Sequence, residues 1–365
     1  MDSWKECQLG DLIEVKYGKD HKKLDEGKYP CIGSGGIMRY VDSYLYDKES
    51  ILIPRKGSLN NLMYREKPFW TVDTMFWSKI IDESVLPKFL FYQLTLIDYT
   101  ILNVGSAVPS LTVPVISEID VNLPPLPEQK AIAEVLSSLD DKIDLLYRHD
   151  RSLEAMAETL FRQWFVEDAD ESWLSFELMD LLESISIKHT FPEDKIIFLN
   201  TSDVYKGQVL INDLSDVSSL PGQAKKSIQK NDILFSEIRP KNGRWAFIDF
   251  DAINYVVSTK LMVLRSKEII QPELIYFYLT NKSTIDELQL IAESRSGTFP
   301  QITYDNFKGF TLRFPSKSAL SQAEILCKDW LSKISFNNRH IKNLTNLRDT
   351  LLPKLMSGEV RVKMN

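Results

Sequence analysis

The sequence predicts an α+β protein with two globular domains of similar fold, each followed by a long helix, and the two helices pair with each other. Three observations predict this. The length of 365 residues suits two or three domains, the first half of the chain is echoed in the second, and each half ends in an apolar stripe with helical spacing. Hydrophobic residues make up 44% and charged residues 26%, which is ordinary for a chain with buried cores and excludes disorder or a fibrous repeat for most of it.

The internal duplication is visible in segments that recur in the same order. The matched pairs are 4–13 with 173–182, 50–55 with 232–237, 87–94 with 272–279, and 106–112 with 297–303. The offset drifts slowly from 169 to 191 residues, as small loop insertions would produce. Four matches in order indicate a duplicated unit rather than chance.

Each half ends in an apolar stripe whose members alternate in steps of four and three residues, interrupted in the first stripe by Asp150. At 1.5 Å per residue each helix would run roughly 55 to 60 Å, longer than a compact domain is wide, so we expect the two helices to pair. The net charge of −6 over 125–170 and +5 over 316–365 favours pairing of these unlike helices. The helix-pairing residues predicted are Ile132, Leu136, Leu139, Ile143, Leu146, Leu153 and Leu160 in the first helix, and Trp330, Ile334, Ile341, Leu344 and Leu351 in the second.

The segments between the stripes mix short strands, turns and short helices. Runs at 50–54, 196–199 and 255–265 are typical of strands, and glycine-containing clusters at 33–36 and 241–243 are typical of turns. Proline opens two predicted short helices, at 87–96 and 272–282. At the end of the second long helix, Pro353 is expected to kink or end the helix and Gly358 to close it.

A search for catalytic motifs finds little. The sequence has no P-loop, no cofactor loop for base methylation and no metal-ligand spacing, so we expect no metal and no cofactor on this chain. Glu14-Val15-Lys16 formally resembles the E-x-K pattern of magnesium-dependent nucleases. This leaves one alternative open, a single-chain DNA endonuclease or methyltransferase that uses Asp11, Glu14 and Lys16. A second alternative is a coiled-coil adaptor with peptide-binding domains.

Polar, basic loops follow corresponding predicted strands in the two halves. Arg and Lys hold phosphates or read guanine, Asn reads adenine, and Gly allows close approach of the backbone, so these loops are candidates for DNA contact. The segment 16–23 is a lesser candidate. The candidate DNA-binding residues are Arg55, Lys56, Asn60 and Asn61 in the first half, and Arg239, Lys241, Asn242 and Arg244 in the second, with Ser106, Arg295 and Thr298 as lesser candidates.

The cysteines and apolar segments favour a cytoplasmic protein. Three widely spaced cysteines read as free thiols, and the start of the chain lacks a signal pattern. The longest apolar stretch, 86–104, is broken by Lys88 and Asp98, so no membrane span is expected. The net charge of −7 argues, at face value, against a nucleic-acid partner, but net charge does not say where the charges lie.

With these features in view, the chain resembles the specificity subunits of type I restriction-modification systems. The resemblance is carried by Leu123-Pro124-Pro125-Leu126-Pro127-Glu128-Gln129 leading into the first helix, by the tail from 347 to 360, and by the openings at 4–13 and 173–182. It covers essentially the whole chain. The second half departs from it, because Arg313-Phe314-Pro315-Ser316 replaces the Pro-rich entry to the helix.

The resemblance implies two target-recognition domains, at 1–124 and 171–315, separated by an antiparallel two-helix coiled coil formed by 125–170 and 316–365, with a pseudo-twofold internal repeat. It implies that each domain reads one half of a bipartite double-stranded DNA site and that the helices set the spacer. The subunit would have no catalysis of its own. Its implied partners are two modification subunits, which use S-adenosylmethionine to methylate adenine, and restriction subunits that depend on ATP and Mg²⁺, in a bacterial or archaeal cytoplasm.

Overall fold

The computed structural model separates the chain into two compact units, Met1–Ile143 with Asn343–Asn365, and Asp144–Lys342. Both units mix strands and helices, in agreement with the α+β class that the sequence predicts. The structure describes residues 4–105, 107–163, 172–191, 193–295, 297–314 and 316–363.

The first unit consists of short strands and short helices. Its strands are β1 (Lys5–Gln8), β2 (Ile13–Tyr17), β3 (Glu26–Gly33), β4 (Gly36–Val41), β5 (Ser50–Pro54), β6 (Met63–Arg65), β7 (Trp70–Thr71), β8 (Met75–Ile80) and β9 (Asp120–Leu123). Its short helices are α1 (Leu9–Leu12), α2 (Pro87–Leu94) and α3 (Val113–Ser117). The strand at 50–54 and the helix that begins at Pro87 are confirmed.

An antiparallel sheet with the order β2-β8-β5-β6 carries the core of the first unit. Every residue of β5 is buried, because this strand lies between two neighbours and its apolar side chains are covered. A second sheet has the order β4-β3-β7, and β1 pairs with β9. Ile51 and Phe76 of the first sheet share one apolar cluster with Phe89 of α2.

The second unit also combines short strands with short helices. Its strands are β10 (Leu174–Glu177), β11 (Leu182–Ile185), β12 (Lys195–Leu199), β13 (Val204–Tyr205), β14 (Gln208–Val209), β15 (Ser215–Asp216), β16 (Ala224–Ser227), β17 (Ile233–Ser236), β18 (Trp245–Phe247), β19 (Tyr255–Ser258), β20 (Leu261–Ser266) and β21 (Thr311–Phe314). The antiparallel sheet β11-β20-β17-β18 has the same order as the corresponding strands of the first unit, and β10 pairs with β21 as β1 pairs with β9. The remaining larger sheet has the order β15-β12-β19-β16. The helices that precede the C-terminal helix are α5 (Leu178–Leu181), α6 (Pro272–Thr280) and α7 (Lys282–Arg295).

Two long helices each contribute to both units. The first is α4 (Leu126–Arg162), which lies between β9 and β10 in the chain and is called the central helix below; the second is α8 (Lys317–Met356). Each presents one apolar side, which packs within the first unit against α2 and the sheet, and within the second unit against α6 and the sheet. Packing against these cores, rather than helix propensity alone, therefore supports the two helices.

Two sequence expectations need correction. The apolar run at 255–265 is not one strand, because the chain turns at Thr259 and Lys260 and sends β19 and β20 into different sheets. Both sides of the turn are buried, so the hydrophobic pattern does not reveal the break. The segment at 272–282 is not one helix, because it contains α6 and only the first residue of a separate helix, α7. Since α7 ends at Arg295, that residue lies at a helix end rather than in a loop.

The end of α8 follows the expectation for proline and glycine. The helix ends within one turn after Pro353, and Gly358 has a φ of +73°. The backbone N–H of Val360 donates to the carbonyl of Lys354 at 3.1 Å, which satisfies one of the carbonyls left free at the helix end. Pro315, expected just before α8, lies outside the described residues.

Candidate nucleic-acid interface

The candidate loop of the first unit leaves the sheet at the end of β5. Arg55 N–H donates to the carbonyl of Thr74 at 2.8 Å, and the carbonyl of Arg55 accepts from Leu111 N–H at 2.9 Å. Lys56 forms an isolated β-bridge with Ser110. These backbone bonds tie the base of the loop to the residue before β8 and to the segment 110–111.

Two further segments meet this loop. Gly57, with a φ of +89°, donates its N–H to the carbonyl of Pro109 at 3.1 Å. Asn61 Nδ2 donates to the carbonyl of Ser34, in the tight turn between β3 and β4, at 2.7 Å. The structure therefore brings 55–61, the glycine-rich turn and 109–111 together, whereas Ser106 lies outside the described residues.

The four candidate side chains in this loop differ in how they are engaged. Lys56 is exposed. The Arg55 guanidinium lies 5.2 Å from the Tyr17 ring centroid and donates to the carbonyl of Asp73 at 3.2 Å. Asn60 uses both ends of its amide, since Oδ1 accepts from Tyr99 N–H at 2.7 Å and Nδ2 donates to Asp98 at 3.0 Å. Asn60 thus orders the loop locally, and Lys56 is open to a ligand.

In the second unit, the loop after β17 is joined to a loop far along the chain. Arg239 adopts a left-handed backbone conformation with a φ of +42°, and its N–H donates to the carbonyl of Pro300 at 3.2 Å. Its Nη2 donates to the carbonyl of Thr298 at 3.3 Å. Arg239 and Thr298, both exposed, are therefore brought together across 59 residues of sequence.

The other candidates of this loop are held by neighbouring elements. Lys241 Nζ lies 3.0 Å from Asp286 Oδ1 on α7. Hydrogen bonds from Lys282 and then from Lys241 hold the pKa of Asp286 below its ordinary value. Asn242, next to Lys241, is exposed. Lys241 therefore carries a partly neutralised charge, whereas Asn242 faces solvent.

Two arginines of the second unit bind its own backbone or side chains. Arg244 Nη1 donates to the carbonyl of Ser202 at 3.0 Å, and its guanidinium lies 5.4 Å from the Tyr205 ring centroid. Arg295 Nη1 donates to Asn306 Oδ1 at 3.1 Å. Arg295 thus fastens the end of α7 to the turn that follows it.

Two exposed tyrosines belong to these surfaces, and neither is among the candidate DNA-binding residues predicted from the sequence. Tyr17 is 55% exposed and Tyr205 is 43% exposed, and each has an arginine guanidinium near its ring. An exposed aromatic ring beside cations can stack on a base or a sugar. Tyr17 lies in the lesser candidate segment 16–23, but sequence alone does not distinguish a solvent-facing tyrosine from a core one.

The three residues of the proposed nuclease site, Asp11, Glu14 and Lys16, already have partners within the chain. Asp11 Oδ2 accepts from Gln8 N–H at 3.1 Å in the cap of α1. Glu14 pairs with Lys16 at 2.5 Å, and this hydrogen bond holds the pKa of Glu14 below its ordinary value. Within the described ranges, no three His, Cys, Asp or Glu side chains are grouped as a metal site would need.

The predicted helix-pairing residues of the first unit lie on the inner side of their helices. Ile132 and Leu136 of the central helix are buried in the same cluster as Leu355, and Leu351 packs against that cluster. Of the others assigned to this unit, Ile143 is buried, and Leu139 and Leu344 are partly buried.

The predicted helix-pairing residues of the second unit also pack against the domain core. Leu153 and Trp330 are buried in one cluster with α6 and the sheet, and Leu160 and Ile334 pack against it. Leu146 and Ile341 are buried. These side chains therefore fasten the helices to the domain core, and their pairing across the two helices stays a prediction.

A buried polar pair joins the central helix to α8 in the second unit. Asn337 is fully buried, and its Nδ2 donates to Asp150 Oδ1 at 2.5 Å; His149 Nδ1 lies 3.3 Å from the same nitrogen. Burial raises the pKa of Asp150, while the hydrogen bond from Asn337 opposes the rise. Asp150 is thus the charged residue that the sequence places in the stripe, and Asn337 is its partner on α8.

Among the described residues, none of the helices carries an apolar stretch long enough to cross a membrane.

The chain matches the family model described as the type I restriction modification DNA specificity domain, over residues 1–155 and again over 170–345. A specificity subunit of the type I restriction enzyme HindI from Haemophilus influenzae is 40% identical over 181 residues, covering 49% of this chain and 39% of the relative. This chain therefore spans less than half the length of that relative. The specificity subunit of MjaIX from Methanocaldococcus jannaschii is 23% identical over 351 residues, covering 87% of this chain and 79% of the relative.

A crystal structure of a type I restriction-modification S subunit from M. genitalium has a similar fold. The two superpose with a TM-score of 0.66 at 18% identity, and the match covers 99% of this chain and 97% of the other. At that identity the likeness concerns the fold alone.

Proposed function

Because the chain belongs to the family of type I restriction modification DNA specificity domains, we propose that it is the DNA sequence-specificity subunit of a type I restriction-modification complex. The observation that carries the proposal is that the family domain occurs twice. Two such domains suit a bipartite site, with each domain reading one half in double-stranded DNA.

The placement of the two candidate loops supports this proposal. Each loop leaves the third strand of the corresponding four-stranded sheet, β5 in the first unit and β17 in the second. In each unit the loop shares its surface with an exposed tyrosine that has an arginine near its ring. Bases are read by side chains on such ordered loops, whereas the phosphates fix the orientation of the protein.

We propose that the two long helices pair as an antiparallel coiled coil and that the two halves of the chain form a pseudo-twofold repeat. In this proposal the paired helices set the length of the spacer between the half-sites. Support comes from one contact in each unit. Asp140 accepts from Arg348 in the first, and Asp150 accepts from Asn337 in the second. As residue numbers rise along the central helix, those of its partners on α8 fall, as an antiparallel pair requires.

The proposed partners follow from the family. Two modification subunits would dock on the helices and use S-adenosylmethionine to methylate adenine, and restriction subunits would use ATP and Mg²⁺. In this proposal the chain selects the DNA site and the partners carry out the chemistry. The three free cysteines, Cys7, Cys31 and Cys327, are compatible with work in the cytoplasm.

The test is DNA binding by the chain copurified with its modification subunits. Methylated adenines in the host genome, located by single-molecule sequencing, identify the bipartite site. We expect the complex to bind that site at least about a thousandfold more tightly than DNA in which either half is scrambled. Equal binding to all three DNAs would overturn the proposal. Magnesium-dependent cleavage by the chain alone, lost in Glu14→Ala, would support the nuclease alternative instead.

A further inference from the structure

We infer that Gln129 and Asp140 are positioning residues that fix the angle between the first recognition domain and the central helix, and so determine which spacer length the protein accepts. The inference rests on the proposed function, since a spacer exists only in a bipartite site. Gln129 and Asp140 would act on the spacer without contacting a base.

Gln129 is the first of the two attachments. Its side chain is fully buried in the first turn of the central helix. Its Oε1 accepts from the N–H of Leu86 at 2.8 Å, while Nε2 donates to the carbonyls of Ser84 at 2.9 Å and Pro124 at 2.8 Å. The Gln129 amide thus joins the start of the central helix to residues 84–86, which precede α2. Its partners there are backbone groups, the N–H of Leu86 and the carbonyl of Ser84, and both would lose a hydrogen bond without it.

Asp140 is the second attachment, eleven residues and about 16 Å further along the same helix. Its Oδ2 accepts from the hydroxyl of Tyr92 on α2 at 2.6 Å, and its Oδ1 accepts from Arg348 Nη1 on α8 at 2.8 Å. Burial is the main cause that raises the pKa of Tyr92 far above its ordinary value, and the hydrogen bond to Asp140 is the next. The phenol therefore remains a donor at all physiological pH values.

The two attachments hold opposite ends of α2. Leu86 is the N-cap residue of this helix, and Tyr92 lies near its C-terminal end. Together with the apolar packing of α2 against the central helix, the two polar contacts, about three turns apart along that helix, fix both the tilt and the rotation of α2. Because α2 packs into the same core as the sheet that carries the 55–61 loop, its angle determines where the loop points. A displacement of about 3.4 Å shifts the loop by one base pair.

The second unit holds α6 in a similar manner with different residues. The N–H of Gln271, the N-cap residue of α6, donates to Glu324 Oε1 on α8 at 2.9 Å. Further along α8, Asn338 Oδ1 accepts from Gln208 Nε2 at 2.8 Å. In both units, therefore, a side chain of a long helix accepts the peptide N–H just before the proline that opens the domain helix.

The variants that test this inference are Gln129→Met and Tyr92→Phe, each made in the full chain and copurified with the modification subunits. Methionine keeps the length and packing of Gln129 but removes its three hydrogen bonds, and phenylalanine removes only the hydroxyl of Tyr92. The matched control is Gln93→Met on α2. The Gln93 side chain donates one hydrogen bond, from Nε2 to the carbonyl of Asn122, within the same domain. Affinity is measured for DNA with the native spacer and with one base pair added or removed.

We expect the ratio of affinities for native and altered spacers to fall about tenfold in Gln129→Met and less in Tyr92→Phe, and to be unchanged in Gln93→Met. Selectivity against a scrambled half-site should be retained in all three variants. If thermal stability falls while the spacer ratio stays at its native value in both Gln129→Met and Tyr92→Phe, the attachments are only structural and the inference is wrong. Failure of the proposed function would look different, because the unaltered protein would then ignore the half-sites themselves.

Discussion

Within the loop that follows β5, neighbouring polar residues have different uses. Lys56 is exposed to solvent, whereas both ends of the Asn60 amide are hydrogen-bonded, to Tyr99 and to Asp98. From sequence, both are polar residues of types that contact DNA, and the pattern does not separate them. The hydrogen bonds separate them, since a side chain already bonded to its own chain is costly to redirect to a base.

This difference leads to a prediction at the residue scale. Asn60→Ala should lower the free energy of unfolding by about 1 to 2 kcal/mol, because Tyr99 N–H loses its acceptor, and should leave base preference unchanged. Lys56→Ala should leave stability unchanged and reduce the slope of log affinity against log salt by about 1, because one phosphate contact is lost. Chemical denaturation and salt titration of DNA binding measure the two effects. Altered base preference in Asn60→Ala without loss of stability would contradict this assignment.

Among the contacts between elements, the polar pair formed by Asp150 of the central helix and Asn337 of α8 is buried. Asp150 Oδ2 and Asn337 Oδ1 are buried acceptors without a donor among the described residues. A proton on Asp150 would supply a donor, and burial raises the pKa of this carboxyl accordingly. The charges of His149 and Lys333 act in the opposite direction. A polar pair at one position of a helix seam also favours a single register over its alternatives.

Asp150→Asn tests the state of this pair. For an acid whose pKa is raised by folding, the stabilisation is fully present below its unfolded pKa near 3.8 and is lost as pH rises through the folded pKa. An asparagine can both accept from and donate to Asn337 at any pH. We therefore expect the variant to be more stable than the native protein by about 1 kcal/mol at pH 7, with the gain vanishing near pH 4. Urea unfolding at several pH values measures this, and a gain that grows toward low pH would refute it.

At the scale of the whole molecule, the charges are unevenly divided. The net charge of −7 consists of −3 in 1–124, −6 in 125–170, −3 in 171–315 and +5 in 316–365. Neither recognition region is basic overall, so attraction to phosphates depends on a few local side chains such as Lys56 and Arg239. In the proposed complex, much of the phosphate neutralisation would come from the partner subunits.

The charge division predicts weak DNA binding by the chain alone. At about 0.15 M salt we expect a Kd no tighter than about 10⁻⁶ M for the isolated chain, the range of non-specific binding, and a much tighter Kd once modification subunits are present. Fluorescence anisotropy with the bipartite site, with and without the partners, makes the comparison. Tight, sequence-selective binding by the isolated chain would show that its own loops suffice.

The features that depend on local pattern can be predicted from the amino-acid sequence alone. The repeated order of segments, the strand at 50–54, the helices opened by Pro87 and Pro272, and the two long apolar stripes all follow from periodicity and from the restricted backbone of proline. The polar loops were identified in the same way, from residue type and from their place after a strand.

Which of these residues meet depends on the fold. It split the run at 255–265 between two sheets, joined Arg239 to Thr298, and engaged Asn60 within its own domain. It also placed the Gln129 amide against backbone groups more than 40 residues away. The physical reason is that hydrogen-bond partners far apart in sequence are selected by how the sheets and helices pack, and neither residue type nor spacing encodes that packing locally.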